Sequence, residues 1–96
     1  MRHRLSSNAS RDLVQLYRQS LFGFGMAHAD RYLGQLQSAF LSIAEYPSAS
    51  PERADLRGAR LKPFGVHHIL YRVRAGEVII LRVLHGRQDI ARYAKS

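Results

Sequence analysis

The chain contains no cysteine, which removes disulfides, thiolate nucleophiles and thiolate metal ligands together. No apolar run approaches the ~20 residues of a membrane helix, and Met1-Arg2-His3-Arg4 leads into no apolar stretch of a secretory signal. A cytoplasmic protein with no membrane partner is expected. Five histidines are present, but none are paired at i, i+4. His67 and His68 are neighbours on an extended segment and point to opposite faces, so no metal and no cofactor are expected. A helix-turn-helix pattern and an aromatic RNA platform are both missing. Sequence-specific DNA reading by this chain alone is therefore not expected. Acidic residues are scarce as well: 7 Asp and Glu stand against 15 Lys and Arg, for a net charge of +8.

That charge is unevenly placed. Residues 1–52 hold five arginines and four acids, a net +1, whereas residues 53–96 hold ten basic residues and three acids, a net +7. A field of this kind draws an acidic partner: nucleic acid, an acidic protein segment or an anionic surface.

The length of 96 residues sets one domain, 1–96. Ser6 is a good N-cap. Leu13, Leu16, Tyr17 and Leu21 follow at helical spacing, which predicts a helix from about Ser7 to Phe22, closed by Gly23-Phe24-Gly25. Met26, Ala29, Leu33, Leu36, Phe40 and Ile43 form a second apolar seam that Pro47 terminates, so the two segments read as an antiparallel helical hairpin. Pro47 to Pro51 is a turn-rich linker, and Glu52 to Ala59 has room for one short helical turn. Leu61 and Phe64 suggest a strand that Pro63 confines to an edge.

Val66 to Asp89 is the centre of the chain. Two β-branched, aromatic-rich runs, Val66–Val73 and Glu77–Leu84, flank a turn holding Gly76, the signature of a β-hairpin. Simple alternation puts Ile69, Tyr71, Val73, Ile79, Leu81 and Val83 on a core face, and His68, Leu70, Arg72, Ile80, Arg82 and Leu84 on the other. This second set mixes aliphatics with cations, as a face covered by a partner does. His68 is expected to be exposed there. After Asp89 the chain holds little apolar surface, so a short tail or helix outside the core is expected. Helices followed by a strand meander predict a two-layer α+β domain.

Several pieces, taken in order, resemble a known family. They are Leu5-Ser6, Ala9, Asp12-Leu13, Ala29, Tyr32, Leu36, Phe40, Tyr46-Pro47, Asp55-Leu56-Arg57, Ile69-Leu70-Tyr71-Arg72-Val73 and Ile80 through Asp89. The set is similar to the RelE/ParE toxins of bacterial toxin–antitoxin pairs, in particular the ParE branch, over nearly the whole chain. The resemblance implies a RelE-like fold. In it the N-terminal segment is a strand beside the last strand, so that the three-stranded antiparallel meander becomes a four-stranded sheet.

The resemblance also implies function. ParE-like toxins poison DNA gyrase, whereas RelE-like relatives cleave mRNA on the ribosome, and a ParD-like antitoxin with an acidic C-terminal segment neutralises its toxin. The antitoxin is expected on His68, Leu70, Arg72, Ile80 and Arg82. A gyrase-binding surface is expected on Arg82, Arg87, Arg92, Tyr93 and Lys95, with no catalytic residue. In the alternative, an mRNA endoribonuclease, His85, Arg82, Arg87 and Tyr93 form the catalytic set, because phosphodiester cleavage needs a proton-transfer group among cations.

Overall fold

The computed structural model describes residues 1–94. Strand β1 (Arg2–Leu5) leads into helix α1 (Ser7–Phe24) and helix α2 (Met26–Glu45). Two 3-10 turns follow, Pro47–Ala49 and Ala54–Leu56. Strands β2 (Arg60–Phe64), β3 (His67–Arg74) and β4 (Glu77–His85) form the meander, and a single helical turn, α3 (Ile90–Tyr93), closes the described chain. The sheet order is β1-β4-β3-β2, with β1 parallel to β4 and the other pairs antiparallel. No described helix is long and apolar enough to cross a membrane.

Ser6 joins two of these elements. Its Oγ accepts from Ala9 N at 3.0 Å, capping α1, and donates to Leu81 O at 2.8 Å, while its backbone N–H bonds Ile80 O at 2.9 Å. The helix start is thereby pinned to the middle of β4. Helix α1 runs two residues past the expected Phe22, because Gly23 stays helical and the chain reverses at Gly25 alone, at φ 89°.

The helical hairpin covers one sheet face. Ala9, Leu36, Phe40 and Ile43 pack on Ile69, Tyr71, Val78, Ile80 and Val83. Leu13 and Leu16 are only partly buried against this core. The strand-face assignment from alternation fails in the middle of β4. A β-bulge lies there: Leu70 pairs with Arg82 and Tyr71 with Ile80, leaving Leu81 as the extra residue. One inserted residue reverses which face every later side chain takes. Val78 and Ile80 therefore face the helices before the bulge, and Val83 does so after it, whereas Leu81 packs elsewhere.

A second small core occupies part of the opposite face. Leu56, Ala59, Leu70 and Ala94 are buried together, with Leu61, Leu81, Ile90 and Tyr93 against them. The C-terminal turn is therefore not a loose tail outside the core. Ile90, Tyr93 and Ala94 seal apolar surface that the sheet would otherwise expose to water.

Candidate functional site

The residues singled out from the sequence converge only in part. Arg82 leaves the bulge toward α1, where its guanidinium grips Asp12 through Nε at 2.8 Å and Nη2 at 2.9 Å. Asp12 also accepts the backbone N–H of Val83 at 2.9 Å. These hydrogen bonds raise the Arg82 pKa further above its ordinary value, against the opposing effect of burial. The carbon at the centre of the guanidinium lies 4.5 Å from the Tyr93 ring centroid, a cation–π contact. Gln88 Nε2 donates to Tyr93 Oη at 3.3 Å, and Gln88 Oε1 accepts the His85 N–H at 2.7 Å. A continuous chain of contacts thus runs from α1 through Arg82 to the loop after β4.

A second group adjoins it. His67 and His85 sit opposite one another on β3 and β4, with ring centroids 5.6 Å apart and nearly perpendicular. Tyr32 Oη and His67 Nδ1 are 2.7 Å apart. Burial first, then the charges of His85 and His68, push the His67 pKa below its usual value, and burial raises that of Tyr32. His85 Nδ1 accepts from Arg87 N at 3.2 Å, which puts the proton of the neutral ring on Nε2. Asp12, Arg82 and Gln88 of the first group and His67 and His85 of the second line an open cavity of about 330 Å³ together with Gln15 and Gln19.

The expected ribonuclease set is therefore brought near one place but not into a phosphate-binding arrangement. Arg82 is neutralised by a carboxylate, and Tyr93 is stacked on it. Arg87 is exposed, and the backbone N–H of that same residue engages His85. Of the expected target-binding residues, Arg87 and Arg92 are exposed at this end of the molecule, Arg82 and Tyr93 are half-buried, and Lys95 lies outside the described residues.

The expected antitoxin face is not one surface. Leu70 and Ile80 are both 0 % exposed and lie in different cores on opposite sides of the sheet, the direct result of the bulge. His68 is half-buried rather than exposed, and its Nδ1 is buried with no hydrogen-bond partner. Arg72 donates through Nη1 to Arg57 O at 2.7 Å. Asp12, Tyr32, His67 and Gln88 belong to the site but escaped the chemical reading of the sequence. Asp12, Tyr32 and Gln88 stood in the sequence only among the residues that carry the family resemblance.

Among the described residues no group of three potential ligands is placed to hold a metal ion. This is the architecture of a small basic α+β protein: a helical hairpin on a four-stranded sheet, with a cationic end where β4 meets the C-terminal turn. The chain belongs to the ParE toxin family, since the family described as "ParE toxin of type II toxin-antitoxin system, parDE" matches residues 4–90. Toxin ParE3 of Caulobacter vibrioides is 33 % identical over 84 residues, covering 85 % of this chain and 83 % of that protein. Toxin ParE1 of Mycobacterium tuberculosis is 32 % identical over 93 residues, covering 95 % of each. A solved structure titled "Chromosomal ParDE TA system from P. aeruginosa" has a TM-score of 0.79 at 18 % identity over 88 % of this chain and 95 % of that one, a likeness of fold.

Proposed function

We propose that this protein arrests growth by inhibiting DNA gyrase in the cytoplasm, and that a cognate ParD-like antitoxin with an acidic C-terminal segment neutralises it. The observation that carries the reading is the family match spanning residues 4–90. The geometry agrees with action by binding. The one arginine at the centre of the expected catalytic set, Arg82, is spent on Asp12, whereas Arg87 and Arg92 stand free of the core on the surface beside it. They are the residues assigned here to gyrase contact, with Tyr93 as their support. The excess of positive charge in residues 53–96 suits an acidic antitoxin segment, whose binding should weaken as salt rises.

The test uses the purified protein in two assays side by side: gyrase supercoiling with cleavage-complex detection, and ribosome-dependent mRNA cleavage. Gyrase inhibition is expected to survive His85→Ala and to fall at least tenfold in Arg87→Ala/Arg92→Ala. If mRNA is cleaved instead, and His85→Ala lowers that turnover about a hundredfold, the scale of a lost proton-transfer group, the gyrase reading fails.

A further inference from the structure

The outer sheet face is divided. The half near β2 and α3 is sealed by the second core, but the half near the β3–β4 turn is open. Strand register sets two parallel rows across this open half. In one, Glu77 of β4 pairs with Arg2 of β1 on one side and Arg74 of β3 on the other. In the other, Ile79 pairs with Arg4 and Arg72. Residues two apart share a face, so all six belong to one surface, opposite the one where Val73 and Val78 meet the helical core. Arg57 joins it from the preceding loop, held beside Arg72 by the bond from Arg72 Nη1 to its carbonyl.

The four strand arginines thus share this face with one carboxylate, Glu77, which bonds Arg4 at 2.9 Å. Arg2, Arg4, Arg57 and Arg74 are exposed, and Arg72 is half-exposed. Neighbouring strands are ~4.8 Å apart and alternate residues ~7 Å apart. The Cα atoms of the four strand arginines therefore mark the corners of a patch of about 7 by 10 Å on three hydrogen-bonded strands. Between them the two rows hold one aliphatic side chain, the half-buried Ile79.

We infer that this arginine quartet is a binding surface for the phosphate backbone of duplex DNA, without sequence selectivity. Guanidinium groups repeated across neighbouring strands, with little apolar surface between them, match closely spaced phosphates, which arginine binds in fork geometry. An acidic peptide is fixed in register by apolar side chains seated on its partner, and the two rows offer only Ile79 for that. The four arginines are carried on strands of the sheet and not on a helix that enters a groove, so the contacts go to phosphates and base edges go unread. The surface is distinct from the Arg87 and Arg92 end, and the inference stands whether or not gyrase is the target.

The experiment is fluorescence anisotropy of the purified protein with a random-sequence 20-base-pair duplex, repeated over a salt series. Micromolar binding that falls steeply with salt is expected, in the range of non-specific complexes. Arg2→Gln/Arg74→Gln should weaken it at least fivefold and flatten the slope of log K against log salt by about 1.8, or ~0.9 for each phosphate no longer neutralised. Arg87→Gln/Arg92→Gln should leave it within twofold. Thermal melting verifies that both variants fold; if the first does not, Arg74→Glu alone gives the same comparison. Three results overturn the inference: no binding, binding abolished with Arg87 and Arg92 but not with Arg2 and Arg74, or tighter binding of a poly-glutamate peptide than of DNA.

Discussion

Asp12 and Arg82 lie 70 positions apart, yet both oxygens of the carboxylate are engaged by the one guanidinium, at 2.8 and 2.9 Å. The side chains retain only 15 % and 20 % exposure. Together with the Ser6 bonds, this pair ties α1 to β4.

Asp12→Ala leaves a half-buried guanidinium without its counter-charge and the Val83 N–H without its acceptor. A loss of about 2–4 kcal/mol in unfolding free energy is expected. Arg82→Met should cost less, because Asp12 keeps its bond to Val83 N. Urea denaturation of both single variants and the double variant gives the coupling; additive single effects would contradict a direct pair.

The second core should matter for stability much as the first does. Leu70→Ala is expected to lose about 2–5 kcal/mol, the same range as Leu36→Ala. Ending the chain after Arg92 should lower the melting temperature too, since it removes Tyr93 and buried Ala94 from this cluster. An unchanged melting temperature would mean that the C-terminal turn adds nothing to the fold.

The turn between β3 and β4 carries an improvable residue. Ala75 and Gly76 have φ of 53° and 72°, the signs of a two-residue type I′ turn. Left-handed backbone costs an alanine about 1 kcal/mol, so Ala75→Asn or Ala75→Gly should raise the unfolding free energy by up to that amount. Gly86→Ala should do the reverse. Its new methyl would meet Val66 O at 3.3 Å and the His68 ring at 3.2 Å. That carbonyl is held by the Gly86 N–H at 2.9 Å and has little room to yield.

Acid should destabilise the His67 region. The folded pKa of His67 is below its ordinary value of 6.5, chiefly through burial, so the unfolded chain binds the proton more readily. This contribution is nil at higher pH. Stability falls as pH drops below about 6.5 and levels off once the folded pKa has been passed. NMR titration of His67 and stability measured from pH 8 to pH 5 check it; His67→Phe should flatten the pH dependence.

Much of the architecture was legible because it rests on periodicity. Leu36 and Phe40 on α2, the Ser6 cap and the Gly76 turn each carry local signals. The faces of β4 were not legible, because a bulge at Leu81 has no local signature and shifts the parity of everything after it. Ile80 changed sides for that reason, whereas Leu70 kept its expected side but is core because Leu56, Ala59 and Ala94 cover it. Asp12, Tyr32 and His67 were invisible as site residues for another reason. Their partners are set by three-dimensional contact between segments that no spacing rule connects.

The parallel pairing of β1 with β4 bears on when the protein becomes itself. Arg2 meets Glu77 and Leu5 meets Ile80, so the first strand has no neighbour in the sheet until the last is made. The helical hairpin can form early from local contacts, but closing so long a loop is the slow step in such topologies. Because synthesis proceeds from the N-terminus, the sheet, the Asp12–Arg82 tie and the arginine rows that span β1, β4 and β3 all await residues 77–85. A nascent or truncated chain lacking β4 thus carries none of these surfaces, and whatever binds them must wait until residues 77–85 have been made.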